Sequence, residues 1–318
     1  MLVESAPIAT PTNRSQLEDE VSGLRPVTRV QDLDIYLFTA TTSPALMREV
    51  GRLREVEFRR DGGGTGKQLD IDRYDDPTSV GSDSPEFRQL VAWDSEHAEL
   101  VAMYRFLPGW CVNPQNYEHE LPTGHLFEYS PGFLSGVLPH TVELGRSVVN
   151  REARKRMKGL FAIWAGLGAL VNEYPQLRYF FGKVTVYPQM NPEARSLIYG
   201  FLAHWFPDPD RLLWPRVPVP MQNAAEPWSD LSSHEEDLDK DLGRLVESVS
   251  ALGATVPPLI LSYSRLTPFM RSCGTAVNRR FGNVEETAIL VPTDRLRPKI
   301  RTRFIDIYES VNPEAFLV

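Results

Sequence analysis

Apolar positions recur along this chain in two registers, one of period two and one near 3.6, and the switches between them mark its elements. Asp34 to Thr39 predicts a short first strand. Ser43-Pro44 then offers an N-cap and a first helical position for a helix through about Arg60. Along it Leu46, Val50, Leu53 and Val56 or Glu57 recur at helical spacing, and Arg54 and Phe58, four apart, share a face. Phe87 to Asp94 and Glu99 to Leu107 are apolar runs around Asp94-Ser-Glu-His97 and predict an antiparallel hairpin, with Arg105 near the end of its second strand. Thr141 to Val149 predicts a buried strand, followed by a basic turn, an apolar helix from Gly159 to Val171, and a strand over Arg178 to Tyr187. An amphipathic helix from Pro192 to Phe206 leads into about thirty proline-rich residues with Trp214 and Trp228. Ser233 to about Leu252 predicts an acidic helix, capped by Ser233 with Glu236 three positions on. A helix over Pro257 to Arg271, strands over Cys273 to Asn278 and Glu285 to Val291, and a last helix from Asp294 to Tyr308 complete the pattern.

Strands and helices in this order predict an α+β fold with a mixed sheet. Residues 1–28 show no periodicity and are expected to form a flexible leader, leaving 29–318 as a single domain. The 318 residues are 42% hydrophobic and 24% charged, enough to bury a core without disulfides or metals. A net charge of -8 argues against a general nucleic-acid binder. Cys111 and Cys273, far apart, suit two free thiols in a reducing compartment. Neither a signal peptide nor an apolar run near 18 residues is visible, so the expected location is cytoplasmic.

The central strand carries an unusual pair. Glu143 and Arg146 interrupt a run of apolar and small residues, and in a regular strand they point to opposite faces. A bulge at Gly145 would re-aim both, splay the neighbouring strands and free backbone donors. The alternative is a strand whose charges pair with others in the core. Asp61-Gly-Gly-Gly-Thr-Gly66 lacks the spacing of a phosphate loop and reads as a flexible lid. Asp70, Asp72, Asp75 and Asp76 cluster without the pattern of a calcium loop. Arg151, Arg154, Lys155, Arg156 and Lys158 precede the helix at Gly159, where a helix N-terminus and cations together suit an anion. No histidine pair has metal-ligand spacing, and no motif activates Cys111 as a nucleophile.

Seven of these positions, in four motifs, recur in family order. Arg54 and Phe58 match a helical R-x-x-x-F, Asp72 and Asp75 a following D-x-x-D, Arg105 in Arg-Phe-Leu-Pro108 a strand R-L-L-P, and Glu143 with Arg146 an E-x-x-R on the central strand. With Trp164-Ala-Gly-Leu, Arg178-Tyr-Phe-Phe-Gly182 and Pro257-Pro-Leu-Ile260, the chain resembles the GCN5-related N-acyltransferase (GNAT) superfamily. Within it, the likeness is to the hemolysin-like branch of ornithine or glycine lipid N-acyltransferases, related to the acyl-homoserine-lactone synthases. The tryptophan expected soon after Phe58 in the lactone synthases is absent. The acetyl-CoA phosphate loop is half met, because Phe161 stands where a small residue belongs in Arg156-Met-Lys-Gly159-Leu-Phe161.

The resemblance implies a mostly antiparallel sheet flanked by helices, with 191–256 as a helical insertion before the closing helix and hairpin. It implies transfer of a long-chain acyl group from a phosphopantetheine thioester, on acyl carrier protein rather than CoA, to the amine of an amino acid in aminolipid synthesis. A lipid product implies work at the inner membrane surface. Glu143 is the expected base, with Asp72 and Asp75 orienting the ammonium; Arg105 and Arg146 either bind the acceptor's carboxylate or hold the acids. Arg54, Phe58, Gly145, Trp164 and Phe181 are the expected substrate-binding residues, and Arg154, Lys155, Arg156, Lys158 and Gly159 the donor-binding ones. A lactone-type signal synthase and a non-catalytic module binding acyl carrier protein or a membrane are the alternatives.

Overall fold

The structure, a computed structural model, describes residues 5–80, 84–220, 228, 237–309 and 312–316. Its strands are β1 (Thr28–Val30), β2 (Leu33–Phe38), β3 (Arg88–Asp94), β4 (Glu99–Pro108), β5 (Phe127–Tyr129), β6 (Thr141–Val149), β7 (Tyr179–Val186), β8 (Leu213–Pro215), β9 (Arg271–Asn278) and β10 (Val284–Pro292). Its helices are α1 (Arg14–Ser22), α2 (Pro44–Arg60), α3 (Tyr117–Glu120), α4 (Arg156–Glu173), α5 (Pro192–Trp205), α6 (Leu238–Ala251), α7 (Pro258–Ser264) and α8 (Pro298–Phe304). Among the described residues, eight strands form one sheet in the order β1-β2-β3-β4-β6-β7-β10-β9, and β5 pairs with β8. Among the described strands, only β6 and β7 run parallel. The fold is the expected α+β arrangement with a mostly antiparallel sheet.

Alternation along the strands decides which helix covers which face. Ile35, Leu90, Ala102, Tyr104 and Phe106 pack with Ala162, Ile163, Leu167 and Leu170 of α4. Their sequence neighbours Tyr36, Val91 and Met103 pack with Leu46, Val50 and Leu53 of α2. Each buried Leu, Ile, Val, Met or Phe among them contributes about 1.5–3 kcal/mol. Gly159 and Gly166 let α4 lie close to the strands: a Cβ would come 3.1 Å from Ala102 at the first and 3.0 Å from Leu90 at the second. Residues of α5 and α6, including Ile198, Phe201, Leu242 and Leu245, belong to the same large cluster as α4, so both helices share the main core.

Several elements differ from the sequence reading. Where a flexible leader over 1–28 is expected, Asn13 caps α1 by accepting the Ser15 N–H, and β1 begins at Thr28. Leu17 is buried, and Val21 and Leu24 pack beside it against α2, a stripe of three residues hidden in a polar stretch. Glu20 of α1 also accepts the Ala45 and Leu46 N–H groups, both at 2.8 Å, and so caps α2 in place of Ser43, whose side chain makes no capping bond. The glycine loop is anchored rather than a free lid, since Glu55 accepts from the backbone of Thr65 and Gly66 at 3.1 and 2.8 Å. α7 ends at Ser264, short of the expected Arg271, and α8 spans only Pro298–Phe304. The expected cap at Ser233 and Glu236 lies outside the described residues.

Candidate active site

Two irregularities in the sheet meet at β6. Between β6 and β7 only three pairs form, Thr141 with Tyr179, Val142 with Phe180 and Glu143 with Phe181, and beyond them the strands part. Gly182 stands at the fork, where a Cβ would come 2.8 Å from the carbonyl oxygen of Leu144. On the other edge Arg105 pairs with Gly145 and Met103 with Val148, so β6 carries one residue more than β4 over that interval. This is the expected bulge, displaced by one residue: Arg146 rather than Gly145 takes the left-handed backbone, at φ +56. Such a conformation costs a side-chain-bearing residue about 1–2 kcal/mol. The arginine is held there from two sides, by Asp70 and by the ring of Phe281 at 4.3 Å.

That contact belongs to a buried network of three arginines and three aspartates. Arg105 Nη1 lies 2.8 Å from Asp72 and 2.7 Å from Asp75, and its Nη2 donates to Asp72 at 3.0 Å. Arg54 Nη1 donates to Asp75 at 3.1 Å and its Nη2 to Gln89. Arg146 Nε is in ion contact with Asp70 Oδ2 at 2.7 Å, while Nη2 donates to Oδ1 at 3.1 Å. Formal charges cancel across the six groups, which makes their burial tolerable. Burial drives the Asp72 carboxyl up, yet Arg105 and Arg146 outweigh it and hold the group below the usual range. Asp70, more enclosed, is raised by burial despite Arg146. Burial opposes the charge on Arg105, but Asp72 and Asp75 keep its pKa well above normal.

Glu143 stands apart from this network. Its Oε1 accepts the Thr123 N–H at 3.1 Å and the Thr123 hydroxyl at 2.6 Å. Its Oε2 is buried without a hydrogen-bond partner among the described residues. Burial raises the carboxyl above its ordinary value, against the opposing pull of Lys183 and Thr123. A cavity of about 290 Å³ opens where β6 and β7 separate, and Glu143 lines it. Its walls include Gly145, Arg146 and Val148 of β6, Lys183 of β7, Leu160 of α4 and Leu259 of α7. A buried carboxylate with raised pKa and a vacant oxygen beside a cavity is equipped to accept a proton.

A domain described as "Acetyltransferase (GNAT) domain" matches residues 53–164. The glycine N(alpha)-acyltransferase of Phocaeicola vulgatus is 40% identical over 322 residues, covering 98% of this chain and 95% of the relative. The chain belongs to the GNAT N-acyltransferases. The glycine N(alpha)-acyltransferase of Bacteroides thetaiotaomicron is 38% identical over 317 residues, covering 97% and 92%. Among solved structures, TofI in an apo form shares 11% identity at TM-score 0.39, over 89% of this chain and 99% of that one. The acyl-homoserine-lactone synthase LasI shares 16% at TM-score 0.31, over 48% and 71%.

Within this acyltransferase the expected site residues divide. Glu143, Gly145, Arg146, Arg105 and Phe58 line the cavity. Arg54, Asp72 and Asp75 do not; Arg54 is fully enclosed and touches the site only by fixing Asp75, so it cannot contact a substrate there. Trp164 and Phe181 also lie outside that wall. Trp164 on α4 packs on Tyr263 and Phe304, and Phe181 on β7 packs on Tyr129 and Phe133, each inside a hydrophobic cluster. Of the basic turn, Lys155 reaches Asp94 at 2.7 Å and Asp32 at 3.1 Å, and Lys158 reaches Asp32 at 2.7 Å. Arg154, Arg156 and the following Met157 are exposed, whereas Gly159 is buried against β4. The potential ligand group Asp94, Glu96 and His97 is the one holding Lys155.

Sequence reasoning missed Thr123, Lys183 and Glu286 as site residues, and Asp70 as the partner of Arg146. Thr123 arrives on an irregular segment and Glu286 from β10, neither of which carries a local motif. Cys111 is half-buried, and burial pushes its thiol up, which works against nucleophilic use. Among the described residues no helix is long and apolar enough to cross a membrane.

Proposed function

We propose that this enzyme moves a long-chain fatty acyl group from a thioester on acyl carrier protein to the amine of glycine, as a step in aminolipid synthesis. The observation that carries the reading is the unpartnered Glu143 Oε2 at the fork of β6 and β7. The names of the two bacterial relatives support glycine as the acceptor.

The acceptor amine has a pKa of roughly 8–10 and arrives protonated. Glu143 takes one proton, and the freed nitrogen attacks the thioester carbonyl carbon. Electrons pass to the carbonyl oxygen, which backbone N–H groups of the bulge at Gly145 to Ser147 receive. Collapse breaks the C–S bond, and the sulfur leaves as a thiol with the proton that the nitrogen sheds. The pantetheine arm lies between the parted strands, and the acyl chain runs over Leu160, Val148 and Leu259.

Arg105 and Arg146 hold the bulge and the Asp70 to Asp75 loop in place. Their pairing with three aspartates favours that role over binding the acceptor. Asp72 and Asp75, occupied by arginines, act through the same scaffold. Exposed Arg154 and Arg156 beside the start of α4, together with Phe161 in the phosphate-loop position, favour acyl carrier protein over CoA, and a lipid product places the work at the inner membrane surface. Residues 191–256 are read as an insertion within a single domain.

The test supplies the purified chain with palmitoyl-acyl carrier protein or palmitoyl-CoA and with glycine, ornithine or lysine, following thiol release and N-acyl product by mass spectrometry. N-palmitoylglycine formed faster from the carrier protein is expected. Equal rates with CoA would sink the donor assignment, and product with ornithine but not glycine would sink the acceptor.

A further inference from the structure

We infer that Lys183 binds the carboxylate of the acceptor, making the site selective for free α-amino acids over amines that lack that group. The inference rests on the amino-acid acceptor proposed above and names the residue that recognises it.

A carboxylate entering a buried cavity needs a cation or several donors, or its desolvation is not offset. Four described cations line this cavity: Arg105, Arg146, Arg151 and Lys183. Arg105 is committed to Asp72 and Asp75, and Arg146 to Asp70. Arg151 holds both oxygens of Asp61 at 2.7 Å and lies 3.4 Å from Glu57. Lys183 differs. Its nearest acid, Glu286 Oε2, is 3.8 Å away, beyond hydrogen-bond length, and that oxygen already accepts from Asn278 at 2.8 Å. Its ammonium donates to Thr123 Oγ1 at 3.4 Å, and an ammonium has three donors.

The same hydroxyl of Thr123 donates to Glu143 Oε1 at 2.6 Å. A single side chain thus separates the cavity's proton acceptor from the least committed of its described cations. An α-amino acid carries its ammonium and carboxylate one carbon apart, so its amine can meet Glu143 Oε2 while its carboxylate meets Lys183. The surroundings of Lys183 are electropositive as well: burial first, then Lys183, Arg280 and Arg73, push the neighbouring His125 imidazole down to about 3.

The experiment compares glycine with glycinamide, equal in size but without the carboxylate, using the full chain and saturating palmitoyl-acyl carrier protein. The wild type is expected to prefer glycine. At a pH above the acid limb, Lys183→Gln should lower kcat/KM for glycine about 10- to 100-fold, mainly through KM, with a much smaller loss for glycinamide. Lys183→Arg should keep most of the preference. Wild-type protein that uses both acceptors equally overturns the inference without any variant. Equal losses for both acceptors in Lys183→Gln, or a shifted acid limb with the preference intact, also overturn it, because Lys183 would then act on Glu143 or on the fold. If the wild type acylates other amines but neither of these two, the glycine reading itself has failed.

Discussion

Glu143 accepts both the backbone amide and the hydroxyl of Thr123 through one oxygen, Oε1, and keeps the other, Oε2, unpartnered beside the cavity. Replacing the acid tests whether that oxygen works. Glu143→Gln preserves shape and the Thr123 contacts, and should lower kcat about 10²- to 10⁴-fold with little change in donor binding. A loss under tenfold in a steady-state assay would contradict the role of base.

The raised pKa has a definite sign in stability. Between the ordinary carboxylate value of 4.5 and the higher native value, the native state binds more protons than the unfolded chain, so stability falls as pH rises through that window. Glu143→Gln removes the effect. Its melting temperature should gain on the wild type as pH is raised from about 4 to 8. The wild-type kcat/KM should in turn rise along an acid limb centred above 4.5, a limb absent from the variant.

Thr123→Val keeps volume and deletes one bond that lowers the Glu143 pKa. The acid limb should move to higher pH, with a stability loss of about 1 kcal/mol by urea denaturation. An unmoved limb would show that the hydroxyl does not tune the acid.

Removing one member of the buried ion network leaves its partners uncompensated. Arg105→Met strands Asp72 and Asp75 and should cost about 3–5 kcal/mol in urea unfolding. Because Asp72 is held below its usual range, the network's contribution is present above the unfolded pKa and fades as acid protonates the native carboxyl. The gap between variant and wild type should therefore narrow in strong acid.

Two backbone positions probe the scaffold. Gly182→Ala places a methyl 2.8 Å from the Leu144 carbonyl at the fork and should cost about 1–3 kcal/mol while weakening donor affinity. Glu20→Ala removes the carboxylate that caps α2 and should cost about 1 kcal/mol, whereas Ser43→Ala, which deletes no capping bond, should cost less.

From the residues alone one can read the long elements, because apolar periodicity over α2, β4, β6 and α4 is a local property of the chain. The six charged motif positions are equally readable, since a carboxylate or guanidinium inside an apolar run must have a partner or a task. Their distribution of roles is not readable. Whether Arg105 and Arg146 face a ligand or an aspartate depends on where the Asp70 to Asp75 loop folds back, and that is set by packing between segments far apart in sequence. The helix within 5–28 escaped because its apolar stripe is three residues long and gains its stability from α2, not from its own propensity. Thr123 and Lys183 escaped because a lone threonine or lysine carries no signal until two strands diverge and bring both beside Glu143. Composition and periodicity determine which segments must be buried and in what form. Which buried charge remains unsatisfied, and therefore able to do chemistry, is decided only when the sheet is assembled, because desolvation and pairing are properties of a place and not of a residue.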